Sequence, residues 1–88
     1  MSVSIIRLPS LKTRLGLSRS SVYNQVASGL LPKPISIGAR AVGWIDFEIQ
    51  KIIDARINGL PETKIKELVI GFHEDRPIRS SIPTPNKN

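Results

Sequence analysis

Three residues, Gly16-Leu17-Ser18, divide what would otherwise be one helical stretch into two short ones, and this break constrains the chain more than any other feature. Ahead of it, Ser10 is placed to cap a helix in which Leu11 and Leu15 lie four apart on one face, with Gly16 as terminator. Behind it, Ser18 can cap a helix over residues 19–28 in which Val22 and Val26 repeat at four and Gly29 supplies a left-handed end. Helices this short are marginal in isolation, so the second must survive by docking Val22 and Val26 against Leu11, Leu15 and Leu17. The expected unit is a helix-turn-helix.

Residues 30–34 cannot be helical. In Leu30-Leu31-Pro32-Lys33-Pro34 each proline pushes its predecessor toward extended conformations. Ile35-Ser36-Ile37 alternates with period two, Gly38-Ala39-Arg40-Ala41 is turn-prone, and Val42-Gly43-Trp44-Ile45 returns, so a β-hairpin with Arg40 at its tip is expected. Asp46 is placed to cap a third helix over residues 47–58, whose Phe47, Ile49, Ile52, Ile53 and Ile57 form an apolar face ended by Gly59. Pro61 suits the first position of a short fourth helix, in which Ile65, Leu68 and Val69 repeat ahead of Gly71. From Phe72 the chain turns to prolines, serines and asparagines without periodic apolar residues, which reads as a flexible tail. The expected architecture is α+β and mainly helical, a winged helix-turn-helix over residues 1–59, a helix over 60–71 and the tail over 72–88.

The chain is 88 residues long, enough for one small core. It has no cysteine and one histidine, so no disulfide framework, thiolate zinc site or cofactor is expected. Carboxylates scattered along helix surfaces, without a nucleophile and base set together, argue against an enzyme. No stretch approaches the roughly 18 apolar residues of a membrane span, and Arg7, Pro9, Lys12 and Arg14 interrupt any secretory pattern, so a cytoplasmic protein without membrane contact is expected.

The net charge of +6 is unevenly placed. Residues 1–45 carry Arg7, Lys12, Arg14, Arg19, Lys33 and Arg40 and no acidic residue, while the seven acidic side chains all lie beyond residue 45 and are balanced there. Such asymmetry suits a polyanion, because each cation brought to a phosphate releases condensed counterions. On the second helix, the side opposite Val22 and Val26 carries Ser20, Asn24 and Ser28, with Ser21 and Tyr23 on the flanks. Asn can pair with adenine edges, Ser can donate or accept, Tyr can reach a phosphate, and Arg19 can reach the backbone. The same residue types also serve as ordinary solvent-facing positions, and Tyr23 can simply pack. Arg40 suits insertion along a backbone or minor groove, or stands as a solvated turn arginine. Lys33 meets phosphate or water. Trp44, followed by Ile45 on the closing strand, reads as core, its indole N–H seeking a carbonyl.

Arg7-Leu8-Pro9, Gly16-Leu17-Ser18-Arg19-Ser20-Ser21-Val22-Tyr23, Gly29-Leu30-Leu31-Pro32-Lys33-Pro34-Ile35 and Ile37-Gly38-Ala39-Arg40-Ala41-Val42-Gly43-Trp44, in that order, resemble the AlpA family of prophage transcriptional regulators over residues 5–58. The resemblance implies a winged helix akin to MerR-type domains and phage excisionases, binding double-stranded DNA in transcription or in integrase-directed excision. It places the recognition helix at Arg19, Ser20, Ser21, Tyr23 and Asn24 and the wing at Arg40, with residues 41–44 anchoring the hairpin. Family members often carry a basic or longer polar residue at the position of Asn24, so base preference does not transfer. The segment from Leu60 onward lies outside the shared pattern. Its Ile65, Leu68 and Val69 stripe is expected to stand clear of the core, available for cooperative self-association on DNA or for contact with an integrase or host regulator. The competing reading is a module that binds such a protein instead of DNA.

Overall fold

The computed structural model of the protein describes residues 4–76. In chain order the elements are β1 (Ile5–Ile6), α1 (Leu8–Leu15), α2 (Arg19–Ala27), β2 (Ile35–Gly38), β3 (Ala41–Ile45), α3 (Asp46–Ile57) and α4 (Glu62–Asp75). This is an α+β, winged-helix-like arrangement. The helix-turn-helix, the hairpin, the third helix and a fourth helix are all present.

α1 starts earlier than its serine suggests. Its N-cap is Arg7, and Pro9, whose fixed φ suits a first turn, sits inside it. Ser10 is therefore helical and does not cap. At α2 the expected cap is in place, the Ser21 N–H donating to the Ser18 hydroxyl at 3.1 Å. α2 ends in a Schellman motif: Gly29, at φ +81, donates its N–H to Val26, and Leu30 donates back to Gln25 at 2.9 Å. That reversal sends Leu31 into the core and starts the strap of residues 28–34 leading to the hairpin.

The strands form one antiparallel sheet in the order β1-β3-β2, with Ile6 opposite Trp44 and Ile35 opposite Gly43. β1 is too short to show a period in sequence, and it approaches β3 closely. A Cβ on Gly43 would lie 2.5 Å from Ile5 Cγ2 and 3.0 Å from the Ile6 carbonyl oxygen, so glycine here makes room for the third strand.

Asp46 is the first residue of α3 and does not cap it; the N-cap is Ile45, with no side-chain cap bond. The Asp46 carboxylate instead receives Arg14 at 2.6 Å. α3 buries Glu48, Ile49, Ile52 and Ala55. Phe47 and Ile57, expected in the core, are 53% and 76% exposed. Both lie five residues from the buried Ile52, roughly 140° round the helix. Phe47 nonetheless meets Phe72 edge to face, with ring centroids 6.5 Å apart.

α4 corrects the expected boundary at residue 71. Pro61 is its N-cap, and the helix runs through Gly71 to Asp75. Ile65, Val69 and Phe72 join Leu11, Val22, Leu31, Trp44, Ile49 and Ile52 in one core, and Arg76 is buried beyond them. Residues 72–76 are thus part of the fold, and the Ile65, Leu68, Val69 stripe belongs to the core it was expected to leave. Residues 77–88 of the expected tail lie outside the described residues. Among the described residues no helix is long and apolar enough to cross a membrane, and no group of three His, Cys, Asp or Glu side chains could hold a metal ion.

Two glycines give opposite outcomes in thermal unfolding. Gly71→Ala, with open space around its Cβ, is expected to stabilise by about 0.5–1 kcal/mol through helix propensity. Gly43→Ala is expected to cost about 1–3 kcal/mol, because β1 must move to admit the methyl.

Candidate nucleic-acid interface

Val22 is fully buried, which turns the other side of α2 outward: Arg19, Ser20, Tyr23, Asn24 and Ser28 are exposed. Ser21 is half-buried and tied to the cap, its hydroxyl oxygen accepting from Ser18 Oγ at 3.1 Å as well. The structure therefore separates Ser21 from the outward-facing set. Arg19 and Tyr23 lie one turn apart, and the Arg19 guanidinium stands over the Tyr23 ring, 5.6 Å from its centroid. Cation–π attraction at an exposed site is worth about 0.5–1 kcal/mol, enough to bias where an otherwise free arginine points.

Tyr23 is supported from behind by Trp44, with centroids 6.1 Å apart at 57°. Trp44 is fully buried and its Nε1–H donates to the Pro32 carbonyl at 3.0 Å. One indole thus joins the flank of α2, the central strand of the sheet and the strap between helix and hairpin. At the tip, the register pairs Gly38 with Ala41 and leaves a two-residue loop, Ala39-Arg40. Arg40 is exposed and sits at φ +66, the sole non-glycine residue with positive φ among the described residues. A non-glycine residue there costs about 1–2 kcal/mol relative to the right-handed region. Lys33 is exposed on the strap.

The cations of the first half do not all remain available. Arg14 donates to Asp46 at 2.6 Å and to Gln50 at 2.8 Å, stapling α1 to α3. Arg7, Arg19, Lys33 and Arg40 are exposed, and among the described residues none of them forms an ion pair.

Four residues that organise this surface are not apparent from sequence patterns chosen for apolar side chains. Arg56 donates to Gln25 Oε1 at 2.7 Å and to the Leu30 carbonyl at 3.3 Å, holding the C-terminal end of α2 where a cation complements the helix dipole. Burial lowers its pKa from the ordinary value, an effect Glu62 partly offsets, and its Nε has no hydrogen-bond partner among the described residues. Glu48, 1% exposed, receives a two-pronged bond from Arg76 at 2.7 and 3.1 Å. Arg76 also donates to the Lys33 carbonyl at 2.9 Å, and the Lys33 N–H donates to His73 Nε2 at 3.1 Å. His73, expected in a tail, is a structural acceptor on α4. Glu48 could have been found from the helical arc 48-52-55, which it shares with core residues; Arg76 and His73 carry no such signal.

A polar helix face, buttressed by a buried indole that also anchors a hairpin with an arginine at its tip, places this chain among winged-helix-like proteins built on a helix-turn-helix. Residues 4–57 match the family described as prophage CP4-57 regulatory protein (AlpA), and the chain belongs to that family. It is 33% identical over 54 residues to the uncharacterized protein ORF88 of Enterobacteria phage P4, an alignment that covers 61% of either chain. It is 30% identical over 61 residues to the DNA-binding transcriptional activator AlpA of Escherichia coli strain K12, covering 62% of this chain and 87% of that protein. No solved structure matches the chain. The family match ends ahead of α4.

The Glu48–Arg76 pair makes its own prediction in urea unfolding. Glu48→Ala, which strands a buried guanidinium, is expected to cost about 3–5 kcal/mol, whereas Glu48→Leu combined with Arg76→Met should recover most of that loss.

Proposed function

We propose that this protein is a DNA-binding transcriptional regulator that lays α2 in the major groove and sets the hairpin tip against the adjacent backbone or minor groove. The observation that carries the reading is the exposed face of α2, where Arg19 is held on Tyr23 next to Ser20 and Asn24, on the acid-free half of the chain. In this reading Ser20 and Asn24 meet base edges, Arg19, Lys33 and Arg40 meet phosphates, and Ser21 acts indirectly by fixing the helix start. The Escherichia coli relative, a DNA-binding transcriptional activator, supports the same assignment. An excisionase role would use the same surface. It would need neighbouring copies to bend DNA together, since one small footprint bends little by itself.

Sequences selected from a random duplex library, titrated by fluorescence anisotropy across a salt series, test the reading. Wild-type binding should be site-selective, with log affinity falling linearly in log salt. Arg40→Gly removes the guanidinium and relieves the positive φ, so it should weaken all sequences alike and reduce the salt slope by about one, while the melting temperature stays level or rises. Asn24→Ala should relax preference at one base pair, by about 1–3 kcal/mol of discrimination. Absence of site-selective binding at physiological salt would overturn the assignment and favour a protein partner for this face.

A further inference from the structure

The strap between α2 and the hairpin is held at its centre by the last turn of α4. Pro32 and Pro34 have no N–H, so within Pro32-Lys33-Pro34 the one backbone donor is that of Lys33. That donor goes to His73 Nε2 at 3.1 Å, and the carbonyl of the same residue accepts Arg76 Nη2 at 2.9 Å. Arg76 is in turn fixed by both oxygens of Glu48, at 2.7 and 3.1 Å, with both side chains buried. One residue earlier, the Pro32 carbonyl takes the Trp44 indole N–H at 3.0 Å. The strap is therefore gripped on either side of the Lys33 Cα by groups from α4, while the Lys33 side chain stays exposed. All of this grip from α4 comes from residues beyond the family match, which ends at residue 57.

A two-residue anchorage of backbone N–H and C=O does more than stabilise. It fixes where the Lys33 stem leaves the surface, two residues before β2 begins, and so the direction in which the hairpin departs from α2. A lysine that starts from a fixed Cα loses less freedom when its ammonium meets a phosphate, which raises affinity without any new contact. We infer that His73 and Arg76, braced by Glu48, are positioning residues for DNA binding: they set Lys33 against a phosphate and hold the hairpin relative to α2 without touching DNA themselves. This inference rests on the DNA-binding reading above.

The test uses the full chain and two substitutions at one position. His73→Phe keeps a ring of similar size and removes the acceptor, whereas His73→Gln returns an oxygen acceptor near the place of Nε2. Both are compared with wild type well below their melting temperatures, on the selected duplex, with Lys33→Ala as the second arm of a double-mutant cycle. His73→Phe should weaken binding about threefold to tenfold, within the lower part of the coupling seen among groups in one network, and should reduce the salt slope by about one, as Lys33→Ala does. In the Lys33→Ala background the same substitution should lose most of its effect, leaving only the part carried by the hairpin, and His73→Gln should restore much of the wild-type affinity. Amide exchange at Lys33 should accelerate in His73→Phe, a readout independent of DNA. The inference is overturned if folded His73→Phe binds with wild-type affinity and slope, or if its loss is undiminished without the Lys33 side chain. A wild-type chain that binds no DNA while Lys33 exchange responds as expected would sink the functional reading instead.

Discussion

The fold depends on the placement of one indole. Trp44 is the largest fully buried side chain, and a buried N–H without an acceptor would cost about 1–3 kcal/mol. The Pro32 carbonyl supplies that acceptor, which obliges the strap to pass the N–H edge of the ring. The same indole also supports Tyr23 and through it the orientation of Arg19. A small domain can bury few groups, so a residue that satisfies core packing, strap position and surface orientation together removes the need for three separate devices. Gly43, beside it on β3, is the complementary constraint, since a side chain there would push away the short edge strand that covers the sheet.

Around this centre the cations divide into two kinds by whether they are bonded to another element. Arg14, Arg56 and Arg76 are occupied in tying elements together: α1 to α3, the end of α2 to α3, and α4 to both α3 and the strap. Arg7, Arg19, Lys33 and Arg40 remain on the surface. Net charge alone does not distinguish these groups. The buried Glu48–Arg76 pair is a costly way to close a core, because both ions must be desolvated, yet Arg76's further bond to the Lys33 carbonyl gives it a geometric consequence that an apolar pair would lack.

Much of the framework is legible from residues. The Gly16-Leu17-Ser18 break, the Ser18 cap, the left-handed end at Gly29, the hairpin around Arg40 and the buried Trp44 all depend on chemistry local to a few positions. Capping and turn conformations are decided within one or two peptide units, so they show in the sequence. Expectation and structure part where two local rules compete. Ser10 and Asp46 are both competent caps, but Pro9 starts α1 sooner, and the Asp46 carboxylate is taken by Arg14 from another helix. At Gly71 a terminator signal loses to Phe72 and Arg76 beyond it, whose burial sustains the helix through the glycine. Helical geometry puts Ser20, Asn24 and Ser28 on the side of α2 away from Val22, where the structure exposes them, and of the two flanking residues Tyr23 is exposed while Ser21 is drawn into the cap.

The order and type of the elements from α1 onward, the polar side of α2 and the one-sided distribution of acidic residues are written in the chain itself, because they follow from backbone stereochemistry, helical period and composition. Packing in three dimensions settled which cations stay free, why Gly43 must lack a side chain, and that α4 belongs to the core and grips Lys33. Those outcomes join residues far apart in the chain, such as Glu48 with Arg76 and Lys33 with His73. No local pattern records which distant carboxylate or backbone carbonyl a side chain will meet, since that is set only when the apolar faces have packed and left particular polar groups without water.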